Sequence, residues 1–282
     1  MKVIKSISEL HAYLSGIDKD KSVGFVPTMG ALHDGHATLI DASVSASDIT
    51  VVSIFVNPTQ FGPSEDYSKY PRTEESDIKL CASHGVDAVF MPPVDDMYPS
   101  GPKYSLVPPP ELTQQLCGLY RENHFSGVAT VVSKLFNIVS PDKAFFGLKD
   151  YQQYCIIKNM AKYMSYDIEI IGVETVREPS GLALSSRNKY LTNEERTQSV
   201  SIYRGLSEAK KLYDEGIRDK VKLEDTVSEI ISKGGLKPQY VTLLQAVSLL
   251  ENIDWKLPVV MGVAAYTPQS NTRLIDNMVF GD

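Results

Sequence analysis

An almost unbroken apolar run, Ile49-Thr-Val-Val-Ser-Ile-Phe-Val56, most restricts the folds open to this chain. A strand exposed on one face alternates apolar and polar residues, whereas a run apolar on both faces belongs in a sheet covered on each side. Comparable short runs recur on either side of it. Val23–Val26, Val86–Met91, Lys143–Phe146 and Asp167–Val173 read as strands, and Thr38–Ser47, Thr73–His84, Gly127–Val139 and Tyr151–Tyr163 as helices. Thr73 is the expected N-cap of its helix, with Glu74 and Glu75 in the first turn. Ser140-Pro141 ends the Gly127–Val139 helix. Strand and helix in alternation require crossover connections and a parallel sheet.

After about Val176 the rhythm changes. A long polar helix over Asn193–Asp214, capped by Thr192, precedes a second over Leu223–Ser232 that stops at Gly234-Gly235. Strands are then expected near Tyr240–Leu244, Val259–Tyr266 and Arg273–Asp276. The chain therefore reads as an α/β parallel-sheet domain over residues 1–175 and a smaller α+β domain over 176–282. With 282 residues, 43% of them hydrophobic, each half can bury its own core, and disorder throughout is excluded.

The formal net charge of -7 argues against a nucleic-acid partner, which calls for a basic face. No stretch approaches the roughly 18 consecutive apolar residues of a membrane span. The start, Met1–Lys21, has no apolar core of the signal-peptide kind. The 3 cysteines (Cys81, Cys117, Cys155) are scattered and form no CxxC pair, so a reducing cytoplasm is the simplest compartment.

Four segments carry chemistry. The first, Pro27-Thr-Met-Gly-Ala-Leu-His-Asp-Gly-His36, follows a buried strand and precedes a helix, the position at which open α/β sheets bind ligands. Its Gly30-x4-Gly35 spacing resembles a phosphate-binding loop, but His36-Ala37 stands where that motif needs Lys and then Ser or Thr. What remains is His33-x-Gly-His36, a pair of imidazoles at a helix start. Such a pair suits hydrogen bonding to a triphosphate, and it equally suits metal ligation. The second segment delivers the neutral amides Asn57 and Gln60 to a strand end, where they suit a small hydroxy acid or a plain Asn-Pro turn. In the third, Gly147-Leu-Lys149-Asp150 can offer a point charge to phosphate and a carboxylate to ribose, or simply cap a helix. The fourth, Leu184-Ser185-Ser186-Arg187-Asn188, places two hydroxyls beside a guanidinium, as a phosphate grip or as a hinge. Arg121, Asn123 and His124 form a further polar cluster. Each segment is ambiguous alone; their joint placement at strand ends and at the change of rhythm favours a nucleotide site.

Taken in order, PTMGALHDGH, SIFVNPTQFGPSEDY, YPRT, HFSGVATVVSKLFNIVSPDKAFFGLKDYQQ and GLALSSRNKYLT resemble the motifs of the pantothenate synthetase (pantoate–β-alanine ligase) family. The match is strongest over residues 22–200. The His-x-Gly-His turn alone resembles only the wider nucleotidyltransferase superfamily. The resemblance implies a Rossmann-like first domain and a smaller second domain closing over the site, in a cytoplasmic homodimer. It implies ATP-dependent condensation of (R)-pantoate with β-alanine through a pantoyl adenylate, releasing AMP and pyrophosphate, with Mg2+ as cofactor and neither nucleic acid nor membrane as partner.

Carried over residue by residue, the resemblance assigns ATP to Met29, Gly30, Ala31, Leu32, His33, Asp34, Gly35 and His36, with His36 as proton donor. It adds Gly147, Leu148, Lys149, Asp150, Val176, Leu184, Ser185, Ser186 and Arg187 to the ATP set. Gln60 and Gln153 take pantoate, Asn57 joins them from its place at the strand end, and Gln60 also meets β-alanine. His36, His33, Lys149, Ser185, Ser186 and Arg187 are the catalytic candidates. Asp77 is the one Mg2+ candidate in Glu74-Glu75-Ser76-Asp77. Leu148 and Leu184 depart from the family pattern, and the stretch after Tyr240 lacks a usual Asp-Pro. Two rivals are a different adenylyltransferase on the same turn and a nucleotide-binding protein without catalysis. The positive groups Lys149, Arg187, Arg121, His33, His36 and His124 are expected to gather locally in an otherwise acidic chain.

Overall fold

The computed structural model describes residues 1–63 and 67–281; Ser64–Asp66, near the end of the SIFVNPTQFGPSEDY motif, lie outside them. The chain runs β1 (Lys2–Ile4), α1 (Ile7–Ser15), β2 (Val23–Thr28), α2 (Asp34–Ala46), β3 (Ile49–Ile54), α3 (Glu74–Ser83), β4 (Ala88–Phe90), two short helices α4 (Val94–Met97) and α5 (Pro110–Thr113), then α6 (His124–Val139), β5 (Lys143–Gly147), α7 (Tyr151–Tyr163) and β6 (Glu169–Val173). It continues through α8 (Asn193–Asp214), α9 (Lys220–Lys233), β7 (Lys237–Gln245), β8 (Val259–Tyr266) and β9 (Arg273–Phe280).

Two compact units emerge. The first comprises Met1–Pro108, Arg121–Leu148 and Ile156–Glu174; the second comprises Pro109–Tyr120, Lys149–Cys155 and Thr175–Asp282. The first unit holds the expected parallel sheet, six strands in the order β1-β4-β3-β2-β5-β6. From β2 the chain steps outward through β3 to β4, then returns to lay β5 against the other side of β2. The order reverses at β2, so loops leaving the carboxyl ends of β2, β3 and β5 border the crevice that such sheets use for ligands. Val26, Val52, Ile54, Val89 and Phe145 from the strands pack with Leu39 and Ile40 of α2 and Cys81 of α3. The both-faces-buried reading of Ile49–Val56 holds, since Thr50–Phe55 are all buried.

The second unit is α+β, as expected. Its sheet is antiparallel, β7-β8-β9, against which α8 and α9 lay Ile202, Leu206, Ala209 and Tyr213, and Leu223, Val227 and Ile231. Those spacings of three and four residues define one apolar stripe per helix. The Thr192 cap is present as a reciprocal capping box with Glu195. Among the described residues, no helix is long and apolar enough to cross a membrane.

Boundaries shift for identifiable reasons. Helix α2 begins four residues before Thr38 because the side chain of His33 supplies its cap. Helix α6 begins at His124 because Asn123, at φ 59, turns the chain into it. The edge strand β1 shows no apolar alternation and exists through its ladder to β4.

Candidate functional site

In the first unit, β2 ends at Thr28, whose hydroxyl donates to the Ser53 carbonyl at 2.7 Å and accepts the Gly30 N–H at 3.2 Å. The chain then turns left-handed, with Gly30 at φ 79 and Ala31 at φ 52. The Ala31 and Leu32 N–H groups donate to Asp77 Oδ2 and Oδ1, both at 2.9 Å. His33 caps α2, its Nδ1 accepting the Gly35 N–H at 3.1 Å, while His36 Nδ1 accepts the His33 N–H at 3.3 Å. The two rings lie 4.2 Å apart, centroid to centroid.

Two points of chemistry follow from this geometry. The N–H groups of residues 30–33 and 35–37 are taken up by the chain itself, so the turn is not an open cradle of backbone donors. Each imidazole accepts a backbone N–H at Nδ1, so each neutral ring carries its proton on Nε2. The turn therefore fixes the orientation and tautomer of both imidazoles.

The segment after β3 is built around Asn57, which is 1% exposed. Its amide hydrogens go to Gln60 Oε1 at 3.0 Å and to the Gly127 carbonyl at 3.2 Å. Its Oδ1 accepts from Tyr98 Oη at 2.7 Å and from the Thr59 N–H and hydroxyl. Burial pushes the Tyr98 phenol up, against the opposing effect of its Thr59 hydrogen bond, which keeps it a donor. Asn57 is thus committed to protein partners and acts by fixing Gln60. Gln60 is 7% exposed and donates from Nε2 to Met29 Sδ at 3.1 Å, which ties it to the β2 turn.

His124 completes this framework. Its Nδ1 lies 2.8 Å from the Gln60 carbonyl, and its Nε2 lies 2.9 Å from the Arg121 guanidinium. Because Arg121 is a donor only, Nε2 accepts and the proton sits on Nδ1, donating to Gln60. Gly127 allows the approach: a Cβ there would stand 2.3 Å from the Thr59 carbonyl oxygen. His124 thus holds the Gln60 backbone and is itself held by Arg121.

Asp77, the Mg2+ candidate, is 2% exposed in the first turn of α3. Besides its two backbone donors, Oδ1 accepts the Thr73 hydroxyl at 3.1 Å. A carboxylate with both oxygens turned to N–H and O–H donors does not fit a metal ligand. Among the described residues no group of three or more His, Cys, Asp or Glu side chains is arranged to hold a metal ion. The last segment of the first unit, Gly147-Leu148, closes β5. A Cβ at Gly147 would meet no protein atom within 4 Å, so the protein's own packing does not demand glycine there.

The second unit carries Lys149, Asp150, Gln153, Val176 and Leu184–Arg187. The Lys149 carbonyl accepts from Asn277 Nδ2 at 2.9 Å. Neighbouring glutamines divide their roles. Gln152 is buried and bonds to the Leu112 and Gln115 carbonyls and the Cys117 N–H, leaving the half-buried Gln153 as the pantoate candidate.

Residues 176–184 fold back on themselves. Leu184 N–H donates to the Val176 carbonyl at 2.9 Å, and Glu178 N–H to the Leu182 carbonyl at 2.8 Å, with Gly181 at φ 96 in the bend. Two expected ATP contacts separated in sequence, Val176 and Leu184, are thereby adjacent. Ser185 caps a 3-10 turn over Ser186–Tyr190, its Oγ accepting the Arg187 N–H. Buried Asn188 braces that turn through the Ala183 carbonyl at 3.0 Å. Arg177 clamps the base of the bend with paired bonds to Asp276 at 2.5 and 2.9 Å.

No thiol is available as a nucleophile here. All three cysteines are buried, and burial together with the Asp77 charge pushes Cys81 up to about 12.

Known proteins share this arrangement of motifs and fold. The family sequence model described as Pantoate-beta-alanine ligase matches residues 2–279. The chain is 46% identical, over 99% of its length and 100% of the relative's, to a pantothenate synthetase of Sulfurihydrogenibium sp.. It is 48% identical to pantothenate synthetase 1 of Bradyrhizobium diazoefficiens, covering 99% and 98% of the two chains. Among solved structures, a pantothenate synthetase from Thermus thermophilus superposes with a TM-score of 0.92 at 38% identity, covering 99% of each chain. A pantoate-beta-alanine ligase from Francisella tularensis, complexed with beta-gamma ATP and beta-alanine, superposes with a TM-score of 0.81 at 37% identity, covering 99% and 97%.

Proposed function

The chain belongs to the pantoate–β-alanine ligase family, and from that premise we propose how its residues carry out the ATP-dependent condensation of pantoate with β-alanine. The observation that carries the reading is the reciprocal capping of His33 and His36 at the carboxyl end of β2, with Gln60 bonded to Met29 of the same turn.

In the first step, a pantoate carboxylate oxygen attacks the α-phosphorus of ATP. A P–O bond forms, the bond to the β-phosphate oxygen breaks, and pyrophosphate leaves. No protein nucleophile takes part, so the work is positioning and stabilisation of charge on phosphoryl oxygens. The Nε2–H groups of His33 and His36 are the hydrogen-bond donors assigned to that charge, which is how His36 would fill the proton-donor role that the family resemblance gives it. Lys149, Ser185, Ser186 and Arg187 are assigned to the same polyanion, with Gly147, Leu148, Asp150, Val176 and Leu184 around the nucleotide. The lack of any packing reason for glycine at 147 supports a backbone kept bare for a ligand.

Gln60 and Gln153 orient pantoate, and Asn57 acts through Gln60. In the second step the β-alanine amine attacks the acyl carbon, the C–O bond to AMP breaks, and the amine proton is released. The activated acyl group must be kept from water meanwhile.

Mg2+ belongs to the reading as the companion of the triphosphate. It would offset the charge of the phosphates, and Asp77, with both oxygens engaged, is not placed to bind it. A cytoplasmic homodimer is the assembly the family resemblance carries, and sedimentation of the purified protein measures its oligomeric state.

The test of the activity is direct. Purified protein with ATP, pantoate and β-alanine should form AMP and pantothenate in equal amounts. AMP formation that ignores pantoate, or nucleotide binding with no turnover, would defeat the proposal.

A further inference from the structure

We infer that Asp77 is a positioning residue for adenylation, a carboxylate latch that holds the left-handed bend at Gly30-Ala31 and so aims the two histidines after it. The inference rests on the ligase reading above and deepens it.

An L-residue in the left-handed region crowds its Cβ against the following carbonyl oxygen. Ala31 sits there at φ 52. Such a conformation persists only where its surroundings over-determine it. Asp77 supplies that constraint with one oxygen on the Ala31 N–H and the other on the Leu32 N–H, each at 2.9 Å. The next residue is His33, the cap of α2 and the first imidazole. Gly30 fits the same latch: a Cβ there would stand 3.0 Å from Asp77 Oδ2 and from Ile54 Cγ2.

The carboxylate is itself well placed. The α3 N-terminus favours negative charge, the Thr73 hydroxyl steadies Oδ1, and burial removes competing water. A carboxylate is specifically required. An asparagine can accept only one of the two N–H groups and would set its own N–H₂ against the other. The residue whose sequence position suggests a metal ligand is thus occupied in shaping the turn.

Asp77→Asn, alone and with Ala31→Gly, tests this. Amide hydrogen exchange at Ala31 and Leu32 should quicken at least about tenfold in Asp77→Asn, while Val26 and Val52 in the sheet stay within about twofold. For AMP formation kcat should fall at least about tenfold, with KM for pantoate within about threefold. The Mg2+ concentration giving half-maximal rate should not move. Adding Ala31→Gly should recover kcat at least about threefold, because glycine adopts this φ without penalty.

Unchanged exchange and kcat, a loss reversed by raising Mg2+, or no recovery from Ala31→Gly would each overturn the latch. Should Asp77→Asn not fold, Thr73→Ala is read by the same exchange and should loosen Leu32 about threefold; no change there overturns the latch too. If the wild-type chain forms no AMP, the ligase reading fails alone, and the exchange measurement still decides the latch.

Discussion

The turn after β2 and the bend before α8 are assigned to the same nucleotide, yet they are held in opposite ways. The β2 turn takes its key braces from remote partners: the Ala31 and Leu32 N–H groups are held by Asp77, 46 and 45 positions away, and the strand end by the Ser53 carbonyl. The bend over residues 176–190 is held mainly by its own neighbourhood, through Val176–Leu184, Glu178–Leu182 and Asn188–Ala183. The Arg177–Asp276 pair, 99 positions apart, anchors its base from a distance. A remotely braced turn presents side chains in one orientation. A locally braced bend can keep its internal shape while its surroundings change.

The largest expected effects test whether both regions serve the same charge. His36→Ala and Lys149→Ala should each lower the adenylation rate at least about a hundredfold, as loss of a key electrostatic donor does. Pantoate-dependent exchange of pyrophosphate into ATP measures it. Normal turnover in a folded variant would remove that residue from its assigned role.

Next comes the bracing of the remotely held region. Asn57→Ala removes the buried amide's bonds to Gln60, the Gly127 carbonyl and the Tyr98 hydroxyl, and should cost up to about 3 kcal/mol of stability while raising KM for pantoate. Urea unfolding with a parallel pantoate titration checks both; a stability loss with unaltered KM would show that Asn57 does not act through Gln60.

Asn188→Ala, the local counterpart, should cost only about 1 kcal/mol, because the neighbouring backbone bonds of the bend remain. KM for ATP should rise while that for pantoate holds. A larger loss than at Asn57 would invert the comparison.

A pH dependence lies just beyond the bend. Burial pushes Glu195 up, but N–H groups of Ser270, Thr192 and Gln269 outweigh it and hold the carboxyl at about 2, below its ordinary 4.5. A lowered folded value adds stability above the ordinary value and loses it as pH falls toward 2. The Tm advantage of the wild type over Glu195→Gln should therefore be full near neutrality and shrink below pH 4.5. A gap independent of pH would place the stabilisation elsewhere.

Much of this molecule was legible in its residues. Tyr151–Tyr163, Asn193–Asp214 and Val259–Tyr266 have the bounds that the sequence reading assigned to them. Their apolar period and their caps are local properties, and local physics decides them. The strand β1 was not legible, because a three-residue edge strand is made by the ladder it joins. Asp77 was legible only as an acidic residue at a helix start, which suggested a metal. Asn57 read as a ligand-binding amide, and its bonds to Gly127 and Tyr98 could not be seen from the Asn-Pro turn that contains it. The same holds for His124, whose tautomer is set by Arg121 on one side and Gln60 on the other.

By itself, then, the sequence determined where most strands and helices run, that two kinds of layer form, and to which family its motifs belong. Each of these follows from periodicity, capping and residue chemistry within a few turns of chain. Only the tertiary structure decided which polar groups remain available for chemistry and which are used up in holding others. That division depends on donors and acceptors meeting across tens of residues. A buried carboxylate or amide has the same formula whether it faces a substrate or a backbone N–H, and what packs against it makes the difference.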